Sequence, residues 1–203
     1  ISGGGKKDTI LGRIEQIKPV AQILAETAQN FLRMKVDLDA SRSLTVRIEG
    51  ALRRGNLELA DRLRAERRAV DHRFAPRRAL AGTVRYLTAA HQRLGSAELA
   101  VVSYHMGIGN LTNVIYAYTG DATGAYVPDL VEEDEITWAK LFFDTAPDRF
   151  SQAHGLLAEL GDDSPTYYWR VLAAQEILRL YREDEDELRE LELLHRAKSS
   201  HEE

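Results

Sequence analysis

The 203-residue chain contains no cysteine, only five prolines and two tryptophans, and aromatic residues make up 7% of it. Without cysteine there is no disulfide and no thiol chemistry, although this absence assigns no compartment. No stretch approaches the ~20 consecutive apolar residues of a membrane span. The six histidines at 72, 91, 105, 154, 195 and 201 include no His-Glu-x-x-His pair, so neither a metal nor any other cofactor is expected. Ser2-Gly-Gly-Gly-Lys-Lys7 has the look of a phosphate loop but lacks both the spacing and a preceding strand. The chain opens at Ile1 rather than at a methionine and has no signal-peptide pattern, as a mature form or a fragment would.

The charge is unevenly spread. A formal net charge of −5 hides eleven arginines and no lysine between Arg42 and Arg78, set against Glu49, Glu58, Asp61, Glu66 and Asp71. The tail from Glu183 is acidic, with Glu183-Asp-Glu-Asp-Glu187 as a block and Leu188, Leu191 and Leu194 as a narrow stripe. An arginine-rich segment raises the question of an anionic partner; a solvated pair of helices laced by ion pairs is the plainer account.

Apolar residues recur at helical spacing almost everywhere, and strand-like alternation is rare and short. Helices are predicted over 9–18, 20–33, 57–74, 76–93, 96–106, 110–118, 133–145, 148–160 and 164–181, with a loop over 119–130. Asp39 or Ser41 is placed to cap a further helix that stops near Gly55-Asn56, so residues 39–75 read as an antiparallel hairpin. The expectation is an all-α protein: one domain over 1–182 with the arginine-rich hairpin as an excursion, followed by an acidic helical tail over 183–203.

The most informative segment is Leu99-Ala-Val-Val-Ser-Tyr-His-Met-Gly-Ile-Gly-Asn110. An apolar helix ends there in Tyr104 and His105, and the glycines at 107 and 109 let the backbone turn sharply and a ligand approach closely. Asn110 is placed to cap the next helix, through Leu111, Val114, Ile115 and Tyr118. The ordinary alternative is a helix–turn–helix corner without further role. The segment resembles the Ala-Tyr-Asn-Ala-Gly-Pro-Gly signature of the SLT-type lytic transglycosylases, relatives of goose-type lysozyme, with Tyr104, Gly107 and Gly109 matching and His105, Met106 and Ile108 replacing Asn, Ala and Pro. Three flanking segments follow in the family's order. Gln22-Ile-Leu-Ala-Glu-Thr27 is similar to its Gln-x-x-Pro-x-Thr segment, with Ala25 in place of the proline. Ala79-Leu-Ala-Gly-Thr-Val-Arg-Tyr-Leu87, followed by Arg93-Leu-Gly95, is similar to its Ala-x-x-Tyr-Leu helix and the turn after it. Tyr167-Tyr-Trp-Arg-Val-Leu-Ala-Ala174 is similar to its Tyr-Val-x-x-Val-Leu-Ala-Ala helix.

The resemblance implies a lysozyme-like fold in the cell envelope or secreted, with peptidoglycan glycan strands as the partner. It implies cleavage of the MurNAc–GlcNAc bond to a 1,6-anhydro product. One glutamic acid, kept protonated by an apolar pocket, donates its proton to the glycosidic oxygen and then deprotonates the sugar's 6-hydroxyl. It also places Gln22, Thr27, Tyr104, His105, Gly107, Gly109 and Tyr167 at the substrate, with Tyr168 and Trp169 as core or groove wall.

The acid is where the likeness fails. Ser2-Gly-Gly4 is similar to the family's Glu-Ser-Gly-Gly variant, which sets Ile1 at the acid, and Gln16-Ile-Lys-Pro-Val20 stands where Gly-Ala-x-Gly-Leu belongs. Three accounts stay open: a fragment that begins past its catalytic helix, a non-catalytic relative that keeps the cleft, or Glu15 as the acid of a rearranged N-terminus. Glu15 also reads as an exposed helix carboxylate, and Glu26 as surface. The function alternatives are a non-catalytic peptidoglycan-binding module and, more distantly, a polyanion or nucleic-acid binder working through Arg42–Arg78. No nucleic-acid partner is expected, because no DNA-binding motif is present.

Overall fold

The structure, a computed structural model, describes residues 23–160 and 164–199. The predicted helix over 9–18, the start of that over 20–33, and both Glu15 and Gln22 lie outside them. Among the described residues there is no β-strand, only two isolated bridges, Val36–Asp71 and Ala146–Arg149. The fold is all-α. It groups into two compact units, residues 1–89 and 90–203.

The first unit begins with a strap: the helix expected to Arg33 is helical over 25–31, its last five residues, Thr27–Phe31, forming a π-turn, and after Arg33 (φ +52°) non-helical chain runs to Asp37. Ile23, Ala28, Leu32, Met34 and Val36 are buried along the strap. Helix α1, Leu38–Arg53, is capped by Asp37, whose carboxylate accepts from Ala40 N at 3.0 Å, and not by Asp39 or Ser41. Ser41 is engaged elsewhere, donating its hydroxyl to Asp71 at 2.8 Å. Helix α2, Leu57–Val70, starts at the Asn56 cap and runs back along α1. Leu44, Ile48, Ala51, Ala60 and Leu63 close the seam between them, flanked by Leu52, Leu59 and Val70. Each fully buried Leu or Ile there contributes roughly 1.5–3 kcal/mol.

The helix predicted over 57–74 ends early. Asp71 takes an extended backbone (φ −135°, ψ 103°), and a 3₁₀ turn, His72–Phe74, follows. That break carries Asp71 inward, where it is fully buried. Its carboxylate accepts from Arg73 Nε at 3.0 Å and Nη2 at 2.7 Å, from Arg73 N at 3.1 Å and from Ser41. Arg73 also donates to Ile23 O at 3.3 Å, which ties the strap to the hairpin. Arg67, buried as well, lies over the Phe74 ring at 3.8 Å. Helix α3, Pro76–Leu94, starts at the proline as expected and carries the chain across the boundary between the units. At Gly82 a Cβ would stand 3.0 Å from Met34 Sδ, so this glycine lets the strap lie close to α3.

The second unit continues with α4, Ala97–Met106, capped by Ser96, and α5, Ile108–Thr119. Helix α6, Val127–Glu133, occupies the end of the segment expected as a loop over 119–130, and the helix expected over 133–145 is the shorter α7, Trp138–Asp144. Pro128 suits the first turn of α6 and Thr137 caps α7 by accepting from Lys140 N at 3.0 Å, while Glu135 (φ +48°) turns the chain between them. Helix α8, Ser151–Glu159, begins three residues later than predicted, after the Ala146–Arg149 bridge. Helix α5 packs on α8, and α9, Ser164–Glu183, packs on α4. The acidic tail forms its own helix, α10, Glu185–Ser199, because Asp184 leaves the helix and caps it by accepting from Glu187 N at 3.0 Å.

Candidate functional site

Helix α4 is apolar nearly all round, and Leu99, Ala100, Val102, Ser103 and Met106 are buried. It ends where Gly107 adopts φ +89° and ψ 145°, a backbone region that essentially only glycine enters without strain. Gly107 N still donates to Ser103 O at 2.7 Å, and α5 departs at once with Gly107 as its N-cap. Asn110 does not cap α5. It sits inside the first turn, and its amide donates back to Met106 O at 2.8 Å, accounting for a carbonyl at the end of α4. Gly109 is likewise helical, with no positive φ, so the sharp turn belongs to Gly107 alone. Leu111, Val114, Ile115 and Tyr118 form the buried face of α5, as their spacing requires.

The corner brings three of the expected site residues together. His105, exposed on the last turn of α4, stacks on Tyr167 of α9 with ring centroids 4.9 Å apart and planes 29° from parallel. Tyr104 is half-buried beside them. Burial pushes the Tyr167 hydroxyl's pKa up, and the neighbouring Tyr104 adds to that rise. The result is a stacked His105–Tyr167 pair, with Tyr104 near enough to Tyr167 to influence its hydroxyl. Thr27 is half-buried at the start of the π-turn in the first unit, where its carbonyl accepts from Leu32 N at 3.0 Å. Glu26 is exposed.

Sequence reasoning missed a second aromatic group farther along α9. Trp169 and Phe143 lie 5.9 Å apart between ring centroids, with Phe142 6.0 Å and Tyr168 5.4 Å from the same indole. Phe143 is 69% exposed, which makes the group a surface feature and not only core. The double aromatic Phe142-Phe143 was the available signal, but helical periodicity alone does not say that it meets Tyr168-Trp169. Glu98 was also unanticipated: it accepts from Trp138 N at 3.1 Å and so caps α7 from α4.

Among the described residues three carboxylates have acidities clearly displaced from the ordinary, and all three move down. Burial raises the Asp71 pKa, but the hydrogen bonds from Arg73 and Ser41 and the Arg73 charge outweigh it. Asp121 is lowered by the hydroxyl of Thr123 and by backbone N–H groups, chiefly that of Ala125, and Glu176 by the hydrogen bond from Arg179. This is the reverse of what a proton-donating glutamic acid needs. Among the described residues no cluster of three or more His, Asp or Glu side chains is arranged to hold a metal ion. No helix among them is long and apolar enough to cross a membrane.

Compared with protein-family models, with curated proteins and with solved structures, the chain matches none.

Proposed function

We propose that the chain is a lytic-transglycosylase-type domain of the cell envelope that engages peptidoglycan glycan strands, with Tyr104, His105 and Tyr167 forming a sugar-facing wall at the Gly107 corner. The observation that supports this reading is the stacked His105–Tyr167 pair: two residues far apart in sequence, both assigned to substrate by the motif resemblance, meet on one surface. An aromatic wall offers π-faces to the C–H groups of a pyranose ring, and its hydroxyl and imidazole edges suit an acetamido group. In such a reaction a carboxylic acid protonates the glycosidic oxygen. The substrate's own acetamido group then stabilises the cationic carbon, and its 6-hydroxyl attacks C1 to close the anhydro ring. Glu15 is the residue assigned to donate and recover that proton; it lies outside the described residues.

Binding without turnover is the second reading, favoured by Ile1 standing where the family's motif has its glutamic acid. Digestion of purified peptidoglycan, read by mass spectrometry, alongside co-sedimentation with sacculi separates the two. Anhydromuramyl products that disappear in Glu15→Gln support the enzyme. Sedimentation without products, reduced by His105→Ala, supports the binding module. A folded protein that neither binds nor cleaves sinks both. Retention that collapses steeply with salt instead transfers the function to the arginines between 42 and 78.

A further inference from the structure

The hairpin of α1 and α2 carries a groove that neither glycan reading uses. A cavity of about 330 Å³ opens between the two helices, lined by buried Leu63, half-buried Leu59 and exposed Val46 together with Arg47, Arg53 and Arg54. Its size falls at the small end of ligand pockets. Two of the arginines are only loosely engaged: Arg47 lies 3.9 Å from Glu66 and Arg53 3.9 Å from Glu49, both pairs exposed at the outer limit of an ion pair. Such pairs contribute little and yield readily to a better acceptor. Arg54 has no carboxylate partner among the described residues. The groove therefore holds more positive than negative charge over an apolar base.

Gly50 explains how Arg54 reaches it. The residue sits in the interior of α1, where glycine costs about 0.5–1 kcal/mol relative to alanine. A Cβ at that position would lie 3.3 Å from Arg54 Nη1, so the bare backbone gives the guanidinium a few tenths of an ångström of room where it folds back over the helix and lines the cavity. Arginine, unlike lysine, presents a planar fork that matches a carboxylate with two parallel hydrogen bonds, and every basic residue from 42 to 78 is an arginine or His72.

We infer that this groove binds a small amphipathic organic acid, its apolar body on Val46, Leu59 and Leu63 and its carboxylate on Arg54, with Arg47 and Arg53 beside it. The inference stands independently of the glycan reading, because the groove is built entirely from the hairpin. Calorimetric titration of the full chain with decanoate, decanol and acetate tests it. Decanoate is expected to bind saturably, at least about tenfold tighter than either decanol, which lacks the charge, or acetate, which lacks the body. Arg54→Gln, an exposed change past the last turn of α1, is expected to weaken decanoate by about tenfold while circular dichroism and thermal unfolding stay unchanged. Decanol binding as tightly as decanoate, decanoate affinity unmoved by Arg54→Gln, or no saturable decanoate binding at all each overturns it.

Discussion

In the first compact unit the buried groups include a carboxylate and two guanidinium groups, Asp71, Arg73 and Arg67; in the second the buried polar side chain among the described residues is a single serine, Ser103, in a unit whose buried residues include Leu99, Val102, Leu111, Ile115, Trp138 and Leu141. One unit is held at its centre by directed, charged hydrogen bonds, the other by apolar packing. The difference follows from sequence. Seven arginines on α1 and α2 leave them only a narrow apolar seam, and the strap joins the hairpin through a polar anchor as well as through its own buried apolar side chains. Helix α4, apolar nearly all round, carries no buried charged anchor of that kind. Charged anchors are specific and brittle, because removing one partner strands the other without water; apolar packing degrades by increments.

The largest effect is expected at the anchor. Asp71→Ala leaves Arg73 buried and unpaired and should destabilise the protein by about 3–5 kcal/mol, read from the denaturant midpoint. An effect below about 1 kcal/mol would show that water reaches Arg73 and that the contrast between the units is overstated.

The two units should also fail at opposite ends of the pH scale. Burial, Arg78 and Lys35 hold the His72 pKa below its ordinary 6.5, against the smaller opposing pull of Asp71, so the stability it lends is present above 6.5 and is lost as pH falls. Asp71, held below its ordinary 3.8, extends that loss to more acid conditions. In the second unit Tyr118 donates its hydroxyl to Asp144 at 2.8 Å, and burial together with that bond pushes its pKa from 10.0 up to about 12. Its contribution is present below pH 10 and lost as pH rises towards 12. Hydrogen exchange should therefore show the hairpin opening first in acid and α5 with α8 first in alkali. Tyr118→Phe should shrink the alkaline step to what Tyr167 and Tyr168, also raised by burial, supply and leave the acid one, and both steps arising in the same residues would erase the distinction.

A smaller effect separates the two glycines of the corner. Gly107→Ala forces a side chain into φ +89° and should cost about 1–3 kcal/mol, with loss of the His105–Tyr167 stacking. Gly109→Ala, in helical backbone with nothing within 4 Å of the added Cβ, should be neutral or stabilise by up to about 1 kcal/mol. Equal melting shifts for the two would contradict the assignment of the turn to Gly107.

Helical periodicity made the all-α class legible, and with it the α1–α2 hairpin, the proline start of α3 and the buried face of α5. At three places where the reading went astray, a side chain was engaged elsewhere than expected. Ser41 does not cap because Asp71, thirty residues away, takes its hydroxyl. The helix over 57–74 stops because Asp71 is worth more inside the unit than in another helical turn. Asn110 does not cap because the Met106 carbonyl needs a donor. At the corner, Tyr104 and His105 were legible from the glycine motif. The contact of His105 with Tyr167 was reachable only through motif resemblance, since periodicity does not say which helix α9 meets.

The bond from Arg73 to Ile23 spans fifty residues, whereas α1 and α2 are joined by a turn of three, Arg54 to Asn56. Loop-closure entropy grows with the length of chain enclosed, so helices that meet across a short turn meet early and an anchor across fifty residues engages late. In the order of events, then, the hairpin comes first and presents a ready-made groove, and the strap is the element that arrives afterwards and completes the unit.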